Sequence, residues 1–167
     1  MVHIAVANAK DEVALGHAVV TRMPFRQFVT VTLDIEADAG RVWALLTDAA
    51  GFPRWNSTVA GIDGRIAPGE TLAVRVPGTA QVFRPTVTEF EPMQRMVWRG
   101  GFLPLFQGVR VFELLTIAPR RTRFTLSETF RGLILPLIAR KLPDFAPIFE
   151  AYANDLKRAA EQPALRA

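Results

Sequence analysis

The sequence has no cysteine and only two histidines, His3 and His17, both near its start. Disulfides, thiolate metal sites and cysteine redox chemistry are thereby excluded. A histidine-ligated zinc centre or a Ser-His-Asp triad has no material in the body of the chain. No metal and no cofactor is expected. Long apolar runs are missing too. The best candidate, Leu133 to Ala139, is broken by Pro136 and is far shorter than the roughly 20 residues of a membrane helix. Membrane insertion is not expected. The first 22 residues have neither the basic start nor the unbroken apolar core of a secretion signal, because Lys10, Asp11 and Glu12 intervene. They read as an extension, mobile or derived from an upstream start. A single domain over residues 23–161 and a short tail, 162–167, follow. A cytoplasmic location is the expectation.

What remains is the composition of an ordinary globular domain. Half of the residues are hydrophobic and 22% are charged. The net charge of +4 comes mostly from arginine, which raises the question of nucleic acid or an anionic surface as partner. The densest cluster, Arg120-Arg121-Thr122-Arg123, has no interleaved aromatic residue to stack a base. It reads as a hairpin tip on a solvated surface. Nucleic acid is not expected as a partner.

Two periodicities organise the chain. From Phe25 to Ala37, Val29, Val31, Leu33 and Ile35 alternate with polar residues, the period of a half-buried strand. Asp38 then caps a short helix carrying Val42, Trp43 and Leu46, and Gly51 and Pro53 end it before a turn at Trp55. Six short strands follow through Phe130, joined by turn signals such as "APGE", "PGTA" and "EPMQ". Pro85 marks an edge or a bulge. Short links between consecutive strands predict an antiparallel meander. At the other end, Leu135, Ile138, Leu142, Phe145, Phe149, Tyr152 and Leu156 recur at alternating steps of 3 and 4, a helical stripe. Pro143 predicts a break in it, and Asp144 predicts the cap of a second helix running to about Glu161.

The order predicts an α+β fold: a seven-stranded curved antiparallel sheet wrapped around a long C-terminal helix, with two short helices after the first strand. "IEADAGRVWALLTD", "FPRWN", "VTEFEPMQRMVWRG" and "TRFTLSETFRG" appear in that order. With these motifs the sequence resembles the SRPBCC (START-like) superfamily, which has the helix-grip fold, and in it the polyketide cyclase/dehydrase-like branch. One departure is Asp38, where many relatives carry proline. The resemblance implies a hydrophobic cavity between sheet and helix for lipids, polyketides or other apolar molecules. It implies no particular reaction, because fold does not settle function.

Candidate residues follow from alternation. In the last strand Phe124, Leu126, Glu128 and Phe130 share a face. A carboxylate on an apolar face is either a ligand anchor or acid/base group, or a structural group bonded to an arginine or to backbone N–H groups. Trp98, Phe112 and Leu114 are read as inward, as core or cavity lining. Phe145, Phe149 and Tyr152 lie on the helix stripe, where the Tyr152 hydroxyl needs a partner if buried. Trp55 either plugs one end of the core or lines the pocket entrance. Asn56-Ser57-Thr58 fits a glycosylation sequon by chance. The leading reading is a protein that binds a small hydrophobic ligand without chemistry. A cyclase or dehydratase using Glu128, and a protein-binding module, are the alternatives.

Overall fold

The hairpin that opens the structure pairs β1 (Val19–Met23) with β2 (Arg26–Ile35). The computed structural model describes residues 15–163. Residues 1–14, which hold His3 and most of the expected extension, lie outside the described residues, as do residues 164–167 of the expected tail. In β2 the expected alternation holds: Val29, Val31, Leu33 and Ile35 are buried, and the residues between them are partly exposed. Asp38 caps α1 (Ala39–Thr47) by accepting from the Arg41 backbone N–H at 2.9 Å. Val42, Trp43 and Leu46 form the buried face of α1. A 3-10 turn then leads into the single-turn α2 (Phe52–Trp55).

Seven strands follow: β3 (Gly61–Asp63), β4 (Ala73–Arg75), β5 (Val82–Phe83), β6 (Thr86–Glu91), β7 (Arg95–Phe102), β8 (Phe106–Ala118) and β9 (Arg121–Arg131). They do not form the single seven-stranded sheet expected from sequence. Six strands make one antiparallel sheet in the order β1-β2-β9-β8-β7-β6, and β3-β4-β5 make a second, smaller one. Pro85 is the physical cause at the division. It separates β5 from β6 and cannot donate to a ladder. The small sheet hangs from the edge strand β6 through Leu72 N–H to Pro85 C=O at 2.9 Å and Gly69 N–H to Val87 C=O at 2.8 Å. A bulge between Val87 and Glu89 shifts the register of β6 on β7. β1 is a second difference, since it lies before the expected first strand. Most of its side chains are exposed, so no buried face betrayed it in the pattern.

The C-terminal elements match the expected break. α3 (Leu135–Ile138) and a 3-10 turn precede Pro143, and Asp144 caps α4 (Phe145–Glu161) by accepting from Ala146 N–H at 3.2 Å. The large sheet wraps α4, which lies chiefly across β2 and buries Phe149, Tyr152, Ala153 and Leu156. Each such large side chain contributes about 1.5–3 kcal/mol on leaving water. Arg41 holds the far end of α4 by donating to the carbonyls of Ala159, Ala160 and Gln162. Asp155, buried in α4, accepts from Ser57 N–H at 2.7 Å and Ser57 Oγ at 2.6 Å. Asn56 Oδ1 accepts from Thr58 N–H and Oγ1. The Asn-Ser-Thr stretch is thus the hydrogen-bonded turn that ties α2 to α4.

Candidate functional site

Between β8, β9 and α4 the core carries charge. Arg110 and Glu128 are directly opposed across the β8–β9 ladder and both face α4. Arg110 donates through Nε at 3.0 Å and Nη2 at 2.6 Å to the same carboxylate oxygen, Glu128 Oε2. Its guanidinium also lies over the Phe149 ring, 5.4 Å from the centroid. Burial works against the Arg110 charge, but the Glu128 carboxylate outweighs it and keeps the guanidinium above its ordinary pKa. The pair is therefore a formally neutral, charge-assisted unit within an apolar wall.

Tyr152 completes the site from the helix side. It is buried, with Phe112 at 6.2 Å, Phe124 at 6.5 Å and Trp55 at 5.8 Å between ring centroids. Among the described residues its hydroxyl has no hydrogen-bond partner, and neither have the buried Trp55 and Trp98 indole N–H groups. Burial pushes the Tyr152 pKa well above its usual range, which Arg110 opposes only in part. The hydroxyl therefore stays protonated and is a donor rather than a base.

Arg110 and Tyr152 line one cavity of about 50 Å³, together with Leu126, Phe149, Ile148, Thr58, Val59, Val74 and Val76. That volume suits a water or two, whereas small-molecule sites occupy roughly 300–1,000 Å³. A cavity is thus present where the resemblance implies one, but it is far narrower than such sites. A larger concavity of about 400 Å³ lies on the outer face of the sheet, among Glu91, Gln94, Arg95, Glu113, Leu114, Leu115, Arg123 and Thr125. Arg95 there is already paired with Glu89 and Glu113.

Residues 26–161 match the family described as polyketide cyclase / dehydrase and lipid transport. The chain belongs to that family. A hypothetical protein from Helicobacter pylori shares the fold at 18% identity, covering 80% of this chain and 87% of that one, with a TM-score of 0.66. A START superfamily protein from Mycobacterium smegmatis is similar at 19% identity over 80% and 97% of the two chains, TM-score 0.59. Norcoclaurine synthase from Thalictrum, solved with a transition-state analogue, is similar at 15% identity over 84% and 97%, TM-score 0.62. These likenesses show the fold. None of the curated proteins matches the chain in sequence.

Within this family frame the expected site residues divide. Leu126, Phe149 and Tyr152 line the narrow cavity. Trp98, Phe112, Leu114, Phe124 and Phe130 face inward and are buried, but they pack around the cavity rather than lining it. Phe145 is half-buried and stacks on Phe130 at 4.8 Å. Trp55 is half-buried against Phe52 at 4.8 Å and beside Tyr152, at the α2 end of the core. Glu128 points inward as expected and is held by an arginine. Sequence reading missed that arginine. The signal was available, since Arg110, Phe112 and Leu114 share one parity along β8. It also missed Val74 and Val76, which line the cavity together with Ile148, Phe149 and Tyr152 of α4. Among the described residues no group of three or more His, Asp or Glu side chains is gathered to hold a metal.

Proposed function

We propose that the chain binds a small hydrophobic molecule of lipid-, polyketide- or aromatic-like chemistry between the large sheet and α4. The Tyr152 hydroxyl carries this reading: it is buried, unpartnered among the described residues and on the wall of a cavity whose one charged lining residue is Arg110. A buried donor left without a partner costs about 1–3 kcal/mol, and an acceptor oxygen on a ligand would recover it. Because Arg110 is neutralised by Glu128, the preferred ligand carries a neutral carbonyl or hydroxyl rather than a carboxylate. Binding requires the wall formed by Val74, Val76 and Val59 to move away from α4, since the closed cavity is too small. In this reading Val59, Val74 and Val76 are the part of the wall that yields.

Native mass spectrometry of protein purified from its own host tests this. A retained apolar species, lost in Tyr152→Phe, is the expected result. Absence of any retained species, together with no displacement of an apolar fluorescent probe by polycyclic ketones, would sink the proposal.

One observation favours a cyclase or dehydratase as second reading. Arg110 and Tyr152 are two donors facing one cavity, the arrangement that stabilises an enolate oxygen. Glu128, tied to Arg110 and not itself lining the cavity, is the candidate proton carrier only if that pair opens. Unchanged turnover in Glu128→Gln would remove it from that role.

A further inference from the structure

We propose that one end of the large sheet docks on the surface of an anionic lipid bilayer. Three connections meet there: the β1–β2 turn, the β7–β8 tip and the link from β9 to α3. Backbone hydrogen bonds hold them together, Gly132 N–H to Phe25 C=O at 3.2 Å, Leu133 N–H to Pro104 C=O at 2.9 Å and Ile134 N–H to Leu105 C=O at 3.3 Å. Each presents large apolar side chains to the outside. Phe25 is 56% exposed, Phe102 64%, Leu133 60% and Leu137 78%, the last being the most exposed large hydrophobic residue described. Isolated exposed apolar residues are ordinary, but a cluster from three adjoining connections marks an interaction surface.

Charge names the occupant. The stretches 19–27, 99–109 and 131–143 contain Arg22, Arg26, Arg99, Arg131, Arg140 and Lys141 and no aspartate or glutamate. None of these six cations forms an ion pair among the described residues. Arg140 and Lys141 follow Leu137 by three and four residues, just beyond α3, so cation and apolar group stand side by side. Protruding apolar side chains ringed by arginine and lysine are complementary to acyl chains beneath anionic headgroups. A second copy of the chain is a poorer occupant, because it would set these six cations against themselves. Nucleic acid would match the charge but not the aliphatic tips. No helix described is long and apolar enough to cross a membrane. The contact is with the bilayer surface.

Co-sedimentation of the full chain with vesicles tests this, comparing phosphatidylcholine alone with the same lipid containing one-third phosphatidylglycerol. The expected result is binding to the anionic vesicles only, reversed by high salt. Arg140→Gln with Lys141→Gln, and separately Leu133→Ser with Leu137→Ser, should each lower partitioning about tenfold or more. These positions are exposed, so circular dichroism and the thermal midpoint should not move. Leu137→Ser alone serves if the double variant fails to fold. No binding to anionic vesicles at low salt, equal binding to neutral ones, or wild-type binding by the variants overturns the proposal. A dimer in sedimentation velocity that Leu137→Ser dissolves would assign the face to a second copy instead, and overturns it too.

Discussion

At one end of the large sheet, charges are paired and committed. Asp34 accepts from Arg123 at 2.7 and 3.1 Å and from Arg121 at 3.2 Å. Lys157 donates to the Asp34 carbonyl at 2.7 Å, and the Glu36 N–H donates to Glu161 at 2.8 Å, which fixes the end of α4 to β2. At the other end Arg22, Arg26, Arg99, Arg131, Arg140 and Lys141 form no ion pair among the described residues, the apolar side chains face outward and the helical segment is broken at Pro143. Between them the aromatic rings of Phe106, Phe130, Phe145 and Phe149 form a column that leads from the apolar end to Arg110 and Tyr152. The difference separates tasks. The paired end ties α4 to the sheet, and the apolar end turns its side chains outward.

The largest effect should come from the one ion pair that belongs to the interior. Arg110→Ala leaves the Glu128 carboxylate, whose side chain is only 12% exposed, without its partner. Urea unfolding should show a loss of about 3 kcal/mol. The double change Arg110→Met with Glu128→Leu should recover most of it, because a matched apolar pair needs no desolvation. A loss below about 1 kcal/mol in the single variant would place the pair in contact with water, and would weaken the view that it is a buried wall of the site.

Asp34→Ala comes next and tests the paired end directly. Its side chain is 9% exposed, and hydrogen bonds to charged groups contribute roughly 1.5–3 kcal/mol each. Competing exposure of Arg121 and Arg123 reduces this to a total loss of about 1–2 kcal/mol. The Arg123 guanidinium, with help from Arg121 and against the effect of burial, holds the Asp34 carboxyl below its ordinary pKa. A depressed folded-state value means that this stabilisation is present above the ordinary aspartate range and is lost as pH falls through the folded value. Asp34→Asn should flatten that acid limb. A limb of unchanged slope would assign the acid sensitivity to other carboxylates.

Much of this contrast was legible in the sequence, and what was not has definable causes. The alternation Val29, Val31, Leu33, Ile35 and the stripe Phe149, Tyr152, Leu156 repeat at the period of their elements, so local pattern sufficed. Asp38 and Asp144 were readable because a cap acts within three residues. The split of the sheet was not readable. It depends on Thr71 meeting Thr86 and Leu72 meeting Pro85, pairings that no local period encodes. Arg110 lay in plain parity with Phe112 and Leu114, yet a cation on an apolar face makes sense only once Glu128 is known to be in register 18 positions away. The narrowness of the cavity was beyond reach, because close-packed interiors fix free volume at the scale of single methyl groups. The outward position of Leu137 is set by where α3 stops, two residues before Arg140.

A smaller effect, of opposite sign, is expected at Tyr152. Replacing it with phenylalanine removes a buried hydroxyl that has no partner among the described residues, so the variant should be about 1 kcal/mol more stable than the parent. Ligand retention should fall at the same time. A stability gain with loss of binding is the pattern of a group kept for function at a cost to the fold. If Tyr152→Phe instead destabilises by more than about 1 kcal/mol, the hydroxyl has a structural partner and the site loses its main support.

The smallest expected change in stability is at the apolar end, and it sharpens the contrast most. Leu137 is 78% exposed, so Leu137→Ser removes almost no buried surface and should alter unfolding free energy by less than about 0.5 kcal/mol. Serine is a slightly poorer helix former than leucine, but α3 is a single turn and propensity has little length over which to act. Asp34→Ala and Leu137→Ser then separate in two measurements: the first changes stability and leaves vesicle binding alone, the second does the reverse. If Leu137→Ser were to destabilise as Asp34→Ala does, the apolar end would be part of the folded core rather than a face turned outward, and the two ends would share one task.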